Sequence, residues 1–166
     1  SAPPVIPLPN LLALLDLVAL GTVCDVMPLS GLNRALVAQG LKVMAQRRNL
    51  GLSTLSAIAR MDDSPHVYHL GVLLGPRINA GGRVGKSSLG VELLTTSEAE
   101  VATALAAELD QLNAERQAIE ASVLEQALAA AEAQANLPVI LVAGEGWHPG
   151  VIGIVAGRLK ERFSRP

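Results

Sequence analysis

The sequence predicts a mainly helical α/β fold, with a helical lobe, a long connecting helix and the start of a second α/β domain. Half of the 166 residues are hydrophobic but only 2% are aromatic, which indicates an aliphatic core and disfavours a β-sandwich. Residues 97–135 contain neither glycine nor proline, as a long helix requires. After them, VILVAGEG (139–146) and a proline-led stretch have the pattern of a buried strand, a glycine turn and a helix.

The helical lobe is expected to begin after a linker, which the prolines of SAPPVIPLPN indicate. The nearly continuous apolar run from Leu11 to Thr22 fits either a buried helix or a buried strand, and we favour a helix. Asp25 follows this run, and Pro28 then discourages further helix. One carboxylate is thus expected at the far end of the first helix.

Three shorter helices are expected in the rest of the lobe. Asn33 is predicted to cap a helix through about Ala45, a second helix covers about residues 52–59, and a third covers about residues 87–94. Residues 62–65 predict a turn. The glycine-rich stretch GPRINAGGRVG (75–85) lies between the second and third of these helices.

The long helix carries the clearest local signal. Ser97-Glu98-Ala99-Glu100 fits a capping box, and a helix from there through about Ala135 would reach roughly 55 Å. Its apolar side chains recur at alternating spacings of three and four, skipping only Arg116, which is typical of a helix bridging two lobes or of a coiled-coil arm (Leu105, Leu109, Leu112, Ile119 and Val123). We interpret its polar cluster as a salt-bridge set on the helix surface (Asp110, Asn113, Arg116 and Glu120).

The charge distribution favours an anionic partner although the formal net charge is −2. Residues 97–135 hold eight of the fifteen acidic residues and one of the thirteen basic residues, so the rest of the chain carries about +5. No apolar run is long enough to cross a bilayer, so no membrane partner is expected. The single Cys24 agrees with a reducing cytoplasm.

Two glycine-containing stretches are candidate anion sites. In GPRINAGGRVG, four glycines accompany Arg77, Asn79 and Arg83, and we weigh phosphate binding above a purely structural loop. In GEGWHPG (144–150), the turn would aim the N–H groups of a helix N-terminus outward. Trp147 and His148 are placed there to contact a base or a phosphate, with core packing and capping as the alternatives.

Asp25 has two interpretations from its own surroundings. It is either a capping or solvated carboxylate or a metal ligand, because an ionised carboxylate among the aliphatic residues of VALGTVCDV needs a cation or several donors. His66 and His69 are spaced to share a metal, but no further ligand is suitably spaced. We therefore treat both histidines as structural.

Four stretches stand out in this order: LDLVALGTVCDVMPL (15–29), LGPRINAGGRVG (74–85), LDQLNAERQAIE (109–120) and GEGWHPGVIGIVAGRL (144–159). Together they resemble the RecJ family of single-strand-specific 5′-to-3′ DNA exonucleases, in the DHH phosphoesterase superfamily. The resemblance implies that residues 1–96 are the C-terminal part of a DHH catalytic domain and residues 97–136 the connecting helix. Residues 137–166 would start the DHH-associated C-terminal domain, so the chain is expected to be an internal segment of a longer parent.

The resemblance also assigns roles to residues. It makes Asp25 the catalytic aspartate, as a ligand in a centre of two divalent ions, manganese or magnesium, that hydrolyses phosphodiester bonds. It makes the following residues substrate contacts: Arg77, Asn79, Arg83, Trp147, His148, Gly150 and Arg158. Gly82 and Gly157 depart from the family's usual alanine and serine. Because Asp25 alone cannot hold two metals, the segment itself is expected to be inactive.

Two alternatives to this function stay open from the sequence. One is a related phosphoesterase acting on short oligonucleotides or small phosphate esters, and the other is a non-catalytic single-strand-binding scaffold. Under the main hypothesis, the parent acts on single-stranded DNA in DNA repair and recombination, in the cytoplasm and with repair proteins as partners. Exposed apolar surface is expected to drive self-association of the isolated segment.

Overall fold

The computed structural model describes residues 8–166, and these residues form seven α-helices and no β-strand. The helices are α1 (Leu15–Cys24), α2 (Gly31–Met44), α3 (Leu50–Ile58), α4 (Gly75–Val84), α5 (Leu89–Thr95), α6 (Ala99–Glu132) and α7 (Pro149–Phe163). A 3-10 turn (Leu11–Leu14) precedes α1, and a π-helical segment (His69–Leu74) runs directly into α4. The linker predicted in SAPPVIPLPN lies mostly outside the described residues. Within the described part, no helix is both long and apolar enough to cross a membrane.

Helix α6 takes part in two separate hydrophobic cores. Its N-terminal half packs with α1–α5 and the π-helical segment, where the largest side chains are fully buried (Leu55, Leu70, Leu74, Leu93 and Leu109). Its C-terminal half packs against α7 through a smaller set (Val123, Ala127, Ala131, Val151, Val155 and Leu159). The long helix is therefore confirmed, and between the two cores it carries polar instead of apolar buried residues.

The strand predicted for residues 139–146 is not formed, because these residues are irregular. A strand needs a neighbouring strand for its N–H and C=O groups, and the described residues offer none. Instead, the Leu141 N–H donates to Gln134 Oε1 (3.0 Å), Gln134 Nε2 donates to Leu141 O (2.8 Å), and the Ile140 N–H donates to Pro166 O (2.9 Å). The described residues are thus helical, not α/β as expected, although the glycine turn is confirmed by Gly146 (φ +74°).

The glycine-rich stretch forms helix α4 and not a glycine-lined loop, which corrects the predicted phosphate cradle. Its glycines allow neighbouring chain segments to approach closely. A Cβ at Gly75 would lie 2.6 Å from Cys24 Sγ, and one at Gly85 would lie 2.6 Å from a methyl group of Leu112. These packing contacts outweigh the helix cost of glycine, about 1 kcal/mol per residue.

Most boundaries of the predicted helices agree within about two residues, but α1 begins four residues later than expected, α6 ends three residues earlier, and the predicted caps are wrong. Asn33 lies inside α2 and donates to Pro28 O (3.1 Å), since the helix already begins at Gly31. No side chain caps α6, whose N-cap residue is Glu98, so the capping box at Ser97 is wrong. The cap of α3 is Asn49, whose side chain accepts the Leu52 N–H (2.9 Å).

Candidate nucleic-acid interface

A groove enclosing about 1000 Å³ separates the end of α1 and the π-helical segment from the middle of α6 and from α7. Three arginines from three different helices line it, namely Arg83, Arg116 and Arg158. Glu120 is the one carboxylate in the lining, and Glu161 outside it lies 3.7 Å from Arg158 Nη1, so the three arginines face two carboxylates. The other side of the groove is apolar and aromatic, with Val67, Tyr68 and Val72 all exposed. Such a combination suits a polyanion that also carries apolar faces.

Arg116 and its partners form a buried polar cluster in the stretch of α6 between the two cores. The guanidinium of Arg116 donates to Glu120 through Nη1 and to Asn113 Oδ1 through Nη2 (3.1 Å). Arg116 and Asn113 are both buried, which corrects the expectation of a salt-bridge set on the helix surface. Glu120 also faces Arg158, with Arg158 Nε 3.9 Å from Glu120 Oε1.

Arg83 connects the C-terminal end of α4 to the N-terminal end of α7. Its Nη1 donates to Gly150 O at 3.1 Å. The approach of the two backbones is so close that a Cβ at Gly150 would overlap the carbonyl oxygen of Arg83. Gly150 is therefore required for this junction, which positions Arg83 beside the groove.

Asp25 ends helix α1 at the rim of the groove. Its neighbours Cys24 and Val26 line the groove, whereas Asp25 itself is exposed and is not among the lining residues. The N–H of Met27 donates to Thr22 O and that of Val26 to Val23 O (both 3.1 Å), which is a Schellman turn with valine at the left-handed position. The helix end and the Asp25 carboxylate are both negative, so a cation is favoured there.

Val26 has φ +55°, a conformation in which a β-branched residue is strained. Strain of this kind concentrates at functional sites, because the surrounding structure must maintain it. Left-handed residues also follow other helices here, at Arg47, Arg60 and Ser164, but Val26 alone among these four is β-branched.

The described residues contain no complete metal site. Nowhere in residues 8–166 do three histidine, cysteine, aspartate or glutamate side chains come together in a group able to hold a metal ion. The exposed carboxylate of Asp25 fits the oxygen ligands that manganese and magnesium prefer, as a single donor. His66 and His69 stack with ring centroids 3.8 Å apart, consistent with a structural role.

Cys24 lines the groove beside Asp25 as a neutral thiol. Burial raises its pKa to about 11, with a smaller contribution from the negative charge of Asp25. Its Sγ lies 3.8 Å from Leu70 O, a carbonyl of the π-helical segment. A thiol with this pKa is a poor nucleophile and a poor metal ligand near neutral pH.

The remaining residues expected to contact substrate are engaged within the protein. Arg77 Nε donates to Asp110 Oδ1 (2.7 Å) and its Nη1 to Leu73 O (2.8 Å). Trp147 Nε1 donates to Gln126 Oε1 (3.1 Å), and the indole lines a separate, largely apolar cavity of about 580 Å³. His148 Nδ1 accepts the Gly150 N–H (3.0 Å) as the cap of α7.

Of the residues that the sequence singles out as substrate contacts, the structure brings Asn79, Arg83 and Arg158 into one groove. Sequence reasoning missed Arg116 and Glu120 as parts of this groove. A signal was present, because Arg116 interrupts the apolar stripe of α6 at a position where the periodicity calls for a buried residue.

Comparisons with known proteins give a consistent result over nearly the whole chain. The chain is 45% identical over 165 residues to the single-stranded-DNA-specific exonuclease RecJ of Dickeya dadantii, covering 95% of the chain and 29% of that protein. It is 44% identical over 168 residues to the protein of the same name from Escherichia coli, covering 97% of the chain and 29% of that protein. No protein-family model matches.

A solved structure shows that the fold is shared as well. The crystal structure of RecJ in complex with Mn²⁺ from Thermus thermophilus superposes with a TM-score of 0.88 at 39% identity, over 96% of the chain and 24% of that protein. The chain spans less than a third of the length of these relatives.

Proposed function

We propose that this RecJ-like chain is a segment of a divalent-metal-dependent exonuclease that hydrolyses single-stranded DNA from the 5′ end, and that its groove holds the strand. The observation that carries the proposal is the groove, which places three arginines and one glutamate opposite an apolar and aromatic wall. The relatives are named for single-stranded-DNA-specific exonuclease activity, which favours this substrate.

The two walls of the groove match the two chemical faces of a single strand. Arg83 and Arg158 carry fixed positive charge and hydrogen-bond donors suited to phosphate oxygens, and Asn79 adds an amide. Tyr68 on the opposite wall is 57% exposed and offers a ring on which an unpaired base can stack. Bases in a duplex are already stacked and paired, so this wall favours a single strand.

The groove is also supported by three residues that hold its helices together, namely Arg77, His148 and Gly150. Arg77 ties α4 to α6 through Asp110, and His148 caps α7 next to the Arg83–Gly150 junction. Because Nδ1 of His148 accepts a backbone N–H, its Nε2 carries the proton and is the atom available to donate to a phosphate. Trp147 lies outside this groove, on the separate apolar cavity, and we propose it as a contact for a part of the strand beyond the groove.

Asp25 is proposed as one ligand of the parent's metal centre. The two divalent ions would supply an activated water and charge stabilisation at the scissile phosphate. What this chain contributes is a carboxylate at the groove rim, and arginines that hold the strand beside it. Since one carboxylate does not complete a site, the chain by itself is expected to cleave nothing.

Hydrolysis is tested on the parent protein with 5′-phosphorylated single-stranded DNA. We expect manganese-dependent release of mononucleotides, and its loss in Asp25→Ala but not in Asp62→Ala, an exposed aspartate outside the groove. Equal activity in the wild type and Asp25→Ala would refute Asp25 as a ligand. Turnover confined to dinucleotides or small phosphate esters would favour the related phosphoesterase, and metal-independent binding without cleavage would favour the scaffold.

The groove is tested on the chain itself by fluorescence anisotropy with a labelled oligothymidylate. Arg83→Gln is expected to weaken binding about tenfold, the effect of one charge-assisted hydrogen bond. The matched control is Arg34→Gln, an exposed arginine of α2 that does not line the groove. Equal losses in both variants would mean that DNA binds by non-specific charge attraction, and the groove would then be the wrong site.

The cellular setting belongs to the same proposal. A single-strand exonuclease acts in DNA repair and recombination, so we place the parent in the cytoplasm with other repair proteins. Val139 and Leu141 are exposed beside the apolar cavity of about 580 Å³, and we propose that the isolated segment self-associates through them. Sedimentation of the chain at increasing concentration would reveal this, and a monomer throughout would refute it.

A further inference from the structure

Arg116 lies at the midpoint of α6, where the stripe of buried side chains passes from one hydrophobic core to the other. Only 9% of the residue is exposed, and the helix periodicity alone would place an aliphatic side chain there. An arginine at such a position is exceptional, because charged groups are rarely buried unless they are fully paired. Its pairing therefore indicates what the side chain is for.

The guanidinium of Arg116 is paired incompletely. Nη1 and Nη2 donate to Glu120 and Asn113, but Nε is buried and has no hydrogen-bond partner. Among the buried side-chain nitrogens and oxygens of the described residues, it is the one identified as unpaired. An unpaired buried donor costs stability, and an apolar side chain of similar volume would pack there without that cost. The arrangement is thus poorly explained by stability.

The surroundings of Arg116 point to a ligand. Arg116 lines the same groove as Arg83 and Arg158, and Glu120 holds it on one side while facing Arg158 at 3.9 Å on the other. Asn113 and Glu120 fix the plane of the guanidinium, as a fork that recognises a tetrahedral oxyanion requires. Glu120 and Glu161 offset two of the three positive charges, so the groove keeps a net positive charge that attracts an anion.

We infer that Arg116 is a phosphate-binding residue in the floor of the groove, an inference that rests on the function proposed above. Its Nε–H is enclosed in the strand-free chain and donates to a non-bridging oxygen of a backbone phosphate once the guanidinium shifts toward the groove. Asn113 and Glu120 are positioning residues, which hold the guanidinium in place before the strand arrives. Glu120 thereby also orients Arg158 toward the same phosphate backbone.

The direct test observes binding to the unsubstituted chain, and variants serve only to assign its signals. Arginine Nε–H signals of the ¹⁵N-labelled chain are followed by NMR while a short oligothymidylate is added, with assignments from single Arg→Lys variants. We expect the Arg116 signal to shift and to saturate together with those of Arg83 and Arg158. If Arg83 and Arg158 respond while Arg116 stays unchanged, the inference is wrong but the groove survives. If none of the three responds, the proposed function of the groove fails as well.

A second test measures the charge contact through salt dependence. Arg116→Met fills the buried position with an apolar side chain and removes the donor. Its oligothymidylate affinity is expected to fall about tenfold at low salt. The slope of log affinity against log salt concentration should also become shallower by about 0.7, the value for one phosphate contact on a single strand. Arg34→Met is the matched control, because Arg34 is exposed and outside the groove.

The salt slope separates a binding role from a structural one. If Arg116→Met only loosened the fold, its melting temperature would fall, but the folded molecules would show the same slope of log affinity against log salt concentration as the wild type. That result would overturn the inference. A melting temperature equal to or above that of the wild type, together with the shallower slope, supports it. Inorganic phosphate added as a competitor should displace the oligothymidylate from the wild type more effectively than from Arg116→Met, and equal displacement would count against the inference.

Discussion

Replacing Gly150 by alanine adds a methyl group at the point where α7 meets the end of α4. The new Cβ would overlap the carbonyl oxygen of Arg83 and would lie 3.0 Å from both the Arg83 carbonyl carbon and His148 Nδ1. Real Cβ atoms essentially never approach other atoms closer than 3.0 Å, so the two backbones must move apart. The Arg83 contacts are with backbone atoms, and the His148 imidazole is held by the Gly150 N–H, which makes the strain hard to relieve.

The expected loss has two parts. Overpacking a close contact costs about 1–3 kcal/mol. The hydrogen bond from Arg83 Nη1 to Gly150 O (3.1 Å) would break as the helices separate, for about 1 kcal/mol more. The free energy of unfolding should therefore fall by about 2–4 kcal/mol, and the melting temperature by roughly 5–15 °C for a chain of this size.

Circular dichroism during thermal unfolding measures this effect, and Gly153→Ala provides the control. Gly153 lies in the same helix, and a Cβ there would meet nothing within 4 Å. That substitution should stabilise the chain by up to about 1 kcal/mol, because alanine favours helix more than glycine does. Equal melting temperatures for Gly150→Ala and Gly153→Ala would show that the Arg83–Gly150 junction is not tightly packed. The assignment of Arg83 to a fixed place in the groove would then lose its support.

Three further predictions concern the core, the rim of the groove and its thiol. Leu109→Ala should lower the free energy of unfolding, measured by urea titration, by about 2–5 kcal/mol, because loss of this fully buried side chain leaves a cavity. Leu141 is 81% exposed, so Leu141→Ala should change that free energy little. Val26→Gly should raise the free energy of unfolding by about 1 kcal/mol, since glycine adopts the left-handed conformation without strain. An unchanged or lower free energy would refute the strain at Val26. Cys24 should react with an aromatic disulfide reagent at pH 8 roughly 100-fold more slowly than an unperturbed thiol, because its pKa is about 11 instead of 9.0. A reaction rate at pH 8 equal to that of a free cysteine would contradict the burial of Cys24. The raised pKa also makes the stability depend on pH: the stabilisation from keeping this thiol neutral is fully present below pH 9 and is lost as the pH rises toward 11.

The sequence was most informative where the signal was local. The helix at Ala99–Glu132 follows from a long run without glycine or proline, and the helix at Pro149–Phe163 from a proline at its first position. Asp25 was correctly expected just after the first helix, because Pro28 and the end of the apolar run both limit that helix. These signals concern a residue and its near neighbours, so the chain itself carries them.

The predictions that failed depended on distant partners. Residues 139–146 have the apolar composition of a strand, but a strand forms only with a second strand beside it, and here Gln134 and Pro166 take up part of its hydrogen bonding. The stretch 75–85 has the glycine content of a loop. It folds as a helix in which Gly75 leaves room for Cys24 from α1 and for the Leu70 carbonyl, so its glycine is explained by a contact with another part of the chain.

By itself, the sequence determined six of the seven helices, the long apolar stripe and the four stretches that resemble RecJ. Only the tertiary structure decided which charges share a groove, because Arg83, Arg116 and Arg158 come from three helices separated in the chain. It also showed that Arg116 is buried and incompletely paired and that Arg77 is bound to Asp110. The physical reason is that burial and charge pairing are set by the packing of distant segments, whereas helix formation is set mainly by neighbouring residues.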